Sequence, residues 1–235
     1  MLTAPEVFEN FLNVNYDCFN FENNEEAQKF ETEIPLFLRR IHPLTRAKIH
    51  YKHKPYSKAC VEIAPFKEQT KVLEVGSGFI PYSSMVMAKE FDNLASMDKF
   101  MFSTESLQHF NINAIEDYFN KDTSVEDYDF IVGRRPCSAI ESIVQNATKA
   151  NKPCFLQLCC CDLENIARRE GVYREWEDIL PEYDPNIKFI DNYAFNIDAT
   201  SEQVSNILEQ AKNQIVKNMV EEDFLPGNTN LEQNT

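Results

Sequence analysis

Residues 71–78 read Lys71-Val72-Leu73-Glu74-Val75-Gly76-Ser77-Gly78, and this stretch decides the fold. Its first five residues are a short, valine-rich apolar run, the length of a buried strand and too short for a helix. Gly76-Ser77-Gly78 is a turn, and a helical pattern follows to about Glu90. Strand, glycine turn and helix in immediate succession open a βαβ unit. The glycines carry weight because only five occur in 235 residues, where roughly 7% is typical. Without a Cβ, glycine permits a sharp turn or the close approach of a ligand to backbone.

Outward from this turn the alternation continues. Leu94-Ala95-Ser96-Met97-Asp98 reads as a second strand ending on an acid. A weaker helix near Ser103–Gln108 leads to a third strand, Asn111 to Ile115. Tyr128 to Val132 is a fourth strand, ended by Gly133, and the helix after it buries Ile140, Ile143, Val144 and Ala147. Pro153 to Leu158 is a fifth, with Asp162 as a helix cap beyond it. The segment 186–198 is one strand, or two joined at Asp191-Asn192, and an amphipathic helix spans about Ser201 to Val220. Upstream, a short helix places Tyr56, Ala59, Cys60 and Ile63 on one face, and residues 1–50 read as helical.

The expected fold is therefore α/β and Rossmann-like: a mostly parallel sheet with helices on both faces and an N-terminal helical extension. The expected boundaries are 1–54 for the extension, 55–222 for the sheet domain and 223–235 for a flexible tail.

Composition narrows the function classes. Apolar residues at 43% and charged residues at 26% describe a globular chain. No apolar run approaches the roughly 20 residues that span a bilayer, and Met1 to Asn10 lacks a signal-peptide layout, so the expectation is a soluble, cytoplasmic protein with no membrane partner. A net charge of −15 disfavours nucleic acid as a partner held by bulk electrostatics. Arg39 to Lys58, however, holds seven Lys or Arg, three histidines and no acid. That run is either a local anion-binding surface or a solvated basic face balancing acidic neighbours. The seven cysteines show no C-x-x-C pairing, and Cys159-Cys160-Cys161 are consecutive. Neighbours on a strand alternate faces, so three in a row do not converge on one metal. The expectation is structural thiols and no metal site.

In open α/β sheets, ligands bind beyond the carboxyl ends of strands where the strand order reverses. Gly76 and Gly78 stand at one such end, and Gly133 at another. Asp98, twenty residues beyond Gly78, can accept the hydroxyl protons of a cofactor ribose. Glu74 adds a second acid beside the turn. A dinucleotide site would want glycine or alanine where Pro81 stands, and Pro81 removes an amide near the helix start that a pyrophosphate needs. A nucleoside cofactor without phosphate has no such requirement.

Val72-Leu73-Glu74-Val75-Gly76-Ser77-Gly78 resembles the first motif of class I S-adenosylmethionine-dependent methyltransferases, and Asp98 stands where their ribose-binding acid lies. Glu116-Asp117-Tyr118 resembles the acid and apolar pair that borders adenine, and Asp129-Phe130-Ile131-Val132-Gly133 resembles their fourth strand. The resemblance covers about Tyr56 to Asp198. It implies S-adenosylmethionine as cofactor. Gly76, Ser77 and Gly78 would border its methionine part, Asp98 its ribose, and Asp117 and Tyr118 its adenine, with Glu74 and Gly133 as further cofactor-binding candidates beside them.

Two departures stand out. Ile80 occupies the position of a third glycine. The segment Gly133-Arg134-Arg135-Pro136-Cys137 is neither the Asn/Asp-Pro-Pro-aromatic motif of amino-methylating enzymes nor, beyond its Pro-Cys dipeptide, the cytosine C5 nucleophile motif. The catalytic residues are therefore not identified. Arg134 and Arg135 stand where a substrate would enter, as an anion-binding pair or as partners of nearby acids. The expectation is a methyltransferase with an anionic acceptor. The rival is a non-catalytic module that keeps the cofactor fold for binding or regulation.

Overall fold

The computed structural model describes residues 52–66, 69–101, 107–108, 110–161 and 163–221, with side chains through residue 213. Helix α1 (Lys54–Ile63) precedes β1 (Lys71–Val75), and α2 (Tyr82–Met87) leads to β2 (Asn93–Asp98). Strands β3 (Ile112–Glu116) and β4 (Phe130–Arg134) follow, then a 3-10 turn (Cys137–Ala139) running into α3 (Ile140–Lys149). Next come β5 (Cys154–Gln157), α4 (Leu163–Glu170), α5 (Trp176–Ile179), β6 (Lys188–Ile190), β7 (Tyr193–Phe195) and α6 (Ser201–Glu221). Most of the predicted 1–54 extension, most of the Ser103–Gln108 helix, the 223–235 tail and the Asp162 cap lie outside the described residues. No helix among the described residues is long and apolar enough to cross a membrane.

Among the described residues the strands form one seven-stranded sheet in the order β3-β2-β1-β4-β5-β7-β6. The first five strands run parallel, while β7 is antiparallel to both β5 and β6. This is the predicted Rossmann-like α/β fold. The segment 186–198 resolves into two strands, because Asp191 at φ 47° makes the tight hairpin.

Side-chain alternation along the strands builds two cores. Val72, Phe130, Val132 and Phe155 face α1, α2 and α6, while Leu73, Val75, Ile131 and Leu156 face α3, α4 and α5. On the first face Tyr56 stacks on Phe155 at 5.8 Å between ring centroids, and Phe155 stacks on Tyr193 at 5.3 Å. Burying each such ring contributes about 2–3 kcal/mol. Helix α1 is thereby part of the sheet's own layering, carrying Lys54 and Lys58 of the basic run with it.

One expectation needs correction. Gly133 does not end β4; the strand continues to Arg134, and Gly133 pairs with Leu156 of β5. The glycine is there for space. A Cβ on Gly133 would lie 2.9 Å from Pro136 Cγ, 3.1 Å from Leu156 Cδ2 and 3.2 Å from the Val75 carbonyl oxygen.

Candidate functional site

The strand order reverses between β1 and β4, so the loops after these strands part and leave a crevice at their carboxyl ends. The turn after β1 is pinned by Met97 at the end of β2, whose carbonyl accepts from Gly76 N at 2.9 Å and Ser77 N at 3.4 Å. Gly76 (φ 67°) and Gly78 (φ 84°) both take the left-handed conformation that favours glycine. A Cβ on Gly76 would meet Pro136 Cα and Cβ at 2.7 Å, so the β4 loop rests directly on the turn. At Gly78 the nearest such neighbour is the Ile80 carbonyl oxygen at 3.9 Å, which leaves the backbone open to the crevice.

A cavity of about 310 Å³ opens here, at the small end of the 300–1,000 Å³ typical of ligand sites. Gly76, Gly78, Asp98, Asp117, Tyr118 and Arg135 line it. Asp98 Oδ2 accepts from Gly78 N at 2.8 Å, joining the acid to the glycine turn. Among the described residues its Oδ1 receives a long contact of 3.4 Å from Phe100 N, leaving acceptor capacity toward the cavity. The Asp98 carbonyl accepts from Asp117 N at 3.1 Å, which brings the β3 loop alongside. Tyr118 presents a largely exposed ring. Of the residues singled out in the sequence, these six share the cavity, whereas Glu74, Ser77, Gly133 and Arg134 are not among its lining.

The reason lies in strand alternation. Glu74 shares the face of Val72, so its carboxylate is fully buried beneath α1 and α2, where Ser84 Oγ donates to Oε2. Its other oxygen, Oε1, is buried and has no hydrogen-bond partner among the described residues. Burial pushes the Glu74 carboxyl up to about 7, against the opposing pull of the Ser84 hydrogen bond and the Arg134 charge. Arg134 lies on the same side as Glu74, with Nε donating to the Lys52 carbonyl at 3.2 Å. Nearby, His53 Nδ1 lies 2.8 Å from Ser83 Oγ. Burial, then the charges of Arg134 and Lys52, pulls the imidazole down to about 3, so it is neutral at working pH. Arg135 is the arginine that reaches the cavity. It is held at φ 54°, and its backbone N–H donates to the Gln157 carbonyl at 2.8 Å.

Sequence reasoning did not single out Lys99, Phe119 or Ser138, which also line the cavity, nor Pro136 and Cys137 as parts of its wall. Position alone could have flagged Lys99, directly after Asp98; nothing in the local pattern marks Phe119. A larger depression of about 740 Å³ lies at the other end of the sheet, bordered by Pro153, Ile197 and the end of α1. It sits away from the strand carboxyl ends and the glycine turn, and the switch-point crevice is the better-built ligand site.

No protein-family model matches the chain, and no curated protein sequence does either. Among solved structures, the chain is similar to the 23S rRNA methyltransferase ErmE at 16% identity, over 75% of this chain and 76% of that one, with a TM-score of 0.38. A likeness of that degree carries no argument about activity. The seven-stranded, mostly parallel sheet is an α/β, Rossmann-like fold.

Proposed function

We propose that this chain is an S-adenosylmethionine-dependent methyltransferase acting on an anionic acceptor. The observation that supports the reading is the coupling of Gly78, in the turn after β1, to Asp98 at the end of neighbouring β2, on the wall of a cavity beside the β1/β4 switch point. The lining fits the cofactor chemically. Asp98 keeps acceptor capacity for ribose hydroxyls, Asp117 and Tyr118 offer a carboxylate and an aromatic ring beside it, and Gly78 leaves its backbone open to the crevice. When bound, S-adenosylmethionine supplies a sulfonium methyl group for in-line transfer.

The protein's own task is then placement. Asp98 fixes the nucleoside, the Gly76–Gly78 backbone borders its amino-acid arm, and Arg135 attracts the acceptor to the rim. Isothermal titration calorimetry with S-adenosylmethionine and S-adenosylhomocysteine tests the reading. Folded protein that binds neither would refute it.

A second reading, a cofactor-binding module without catalysis, is favoured by one feature. The residues lining the cavity after β4, Arg135 to Ala139, include no carboxylate, amide or imidazole to align or deprotonate an acceptor. Cofactor binding with no methyl transfer to nucleic-acid, protein or small-molecule pools would support that module.

A further inference from the structure

On a continuous strand, the side chains of Cys159, Cys160 and Cys161 would diverge and could not share a metal. The fold removes that premise. Strand β5 stops at Gln157, so Cys159 and Cys161 stand in the connection to α4. The loop after β4, the strand paired with β5, runs alongside and brings Cys137 with it. The Sγ atoms of Cys137, Cys159 and Cys161 all lie within 4.8 Å of one another, and Cys137 and Cys159 are 3.4 Å apart.

We propose that these three thiols bind a thiophilic d10 cation of the zinc class, with one coordination position left open. The spacing suits it. Zinc–sulfur bonds of about 2.3 Å in a tetrahedron set the sulfurs about 3.8 Å apart, within the range these atoms already span. The supporting loops are tied down independently of any ion. Trp176 Nε1 donates to the Cys159 carbonyl at 2.8 Å, the Cys160 carbonyl accepts from Leu163 N at 3.2 Å, and the Ala139 N–H donates to the Pro136 carbonyl at 3.0 Å. Cys137 is held at φ 41°, an uncommon conformation for a residue with a side chain. Cys159 is buried while Cys137 and Cys161 are exposed, so an ion can enter from solvent onto a fixed floor. Three protein ligands with a free fourth position is the arrangement of reactive rather than purely structural zinc sites. Cys137 also lines the switch-point cavity, which places the ion in its wall. Binding requires thiolates, so it releases protons and weakens in acid.

The test uses the full chain, reduced and stripped of metal under anaerobic conditions. Titration with Co(II) should produce thiolate-to-cobalt charge-transfer absorption saturating at one equivalent, and Zn(II) should displace it. Removing a residue that only hydrogen-bonds a metal ligand already costs about 10–100-fold in affinity, so Cys137→Ser or Cys161→Ser should weaken binding by at least a hundredfold. Both positions are exposed, so these variants should fold. In zinc-loaded protein, alkylation followed by peptide mass spectrometry should find Cys137, Cys159 and Cys161 protected and the exposed Cys160 modified. Folded, reduced protein without the absorption band would overturn the proposal. So would unchanged affinity in the Cys137 and Cys161 variants, or a Cys137–Cys159 disulfide forming equally fast in air with and without zinc.

Discussion

Replacing Gly76 with alanine should destabilise the protein far more than the same change two residues later. Both glycines sit at positive φ, where alanine incurs roughly 1–2 kcal/mol of backbone strain. Only Gly76 adds a collision: the new methyl would stand 2.7 Å from Pro136 Cα and Cβ, and a proline ring with its own backbone cannot swing aside. Overpacking of this kind costs about 1–3 kcal/mol, so Gly76→Ala should lose roughly 2–5 kcal/mol in all. Gly78→Ala meets nothing closer than 3.9 Å and should lose only the strain. Equilibrium urea unfolding, followed by circular dichroism, reads the difference directly. With a slope of about 1–3 kcal/mol per molar urea, the Gly76 midpoint should fall by on the order of 1 M more than that of Gly78 at equal m-values. Equal shifts, or a larger loss at Gly78, would show that the β4 loop does not rest on this turn and would undo the account of the crevice.

The remaining expectations concern charge. Asp98→Ala should raise the dissociation constant for S-adenosylhomocysteine about 5–30-fold by calorimetry, the loss of one or two hydrogen bonds; unchanged affinity would remove Asp98 from the site. Arg135→Ala should weaken binding of inorganic phosphate severalfold in an NMR titration, whereas Arg134→Ala should spare it and instead cost about 1 kcal/mol of stability through the lost Lys52 contact. Glu74, pushed up to about 7 in the fold from 4.5, keeps its proton longer folded than unfolded, so its contribution to stability declines as pH rises between those values. Glu74→Gln mimics the protonated form, so its stability relative to the parent protein should climb across that window, by at most about 3 kcal/mol at pH 8. A difference independent of pH in paired urea melts at pH 4.5 and pH 8 would rule out a buried, proton-holding Glu74.

The alternation of short apolar runs with helical patterns was legible residue by residue, because a period of two and a period of 3.6 are local properties of the chain. So was the importance of Gly76 and Gly78, since scarce glycines at a strand end have few other uses. Asp98 could be picked out because its place at the end of β2 follows from counting along one βαβ unit. Which acids and arginines face the ligand could not be read so directly. Glu74 and Arg134 look equivalent to Asp98 and Arg135 in the sequence, yet the alternation of their strands turns both to the α1 side of the sheet, Glu74 buried and Arg134 half-buried against the Lys52 carbonyl.

What the chain order by itself determined is thus the α/β alternation, the glycine turn and the acid that closes the second strand. Tertiary structure alone decided the rest: that Pro136 occupies the space above Gly76, that the cavity takes Arg135 and not Arg134, and that Cys137 meets Cys159 and Cys161. The physical reason is range. Backbone periodicity is set by neighbours a few residues apart, whereas each of these meetings joins loops from different strands, and only the order of strands in the sheet brings those loops together.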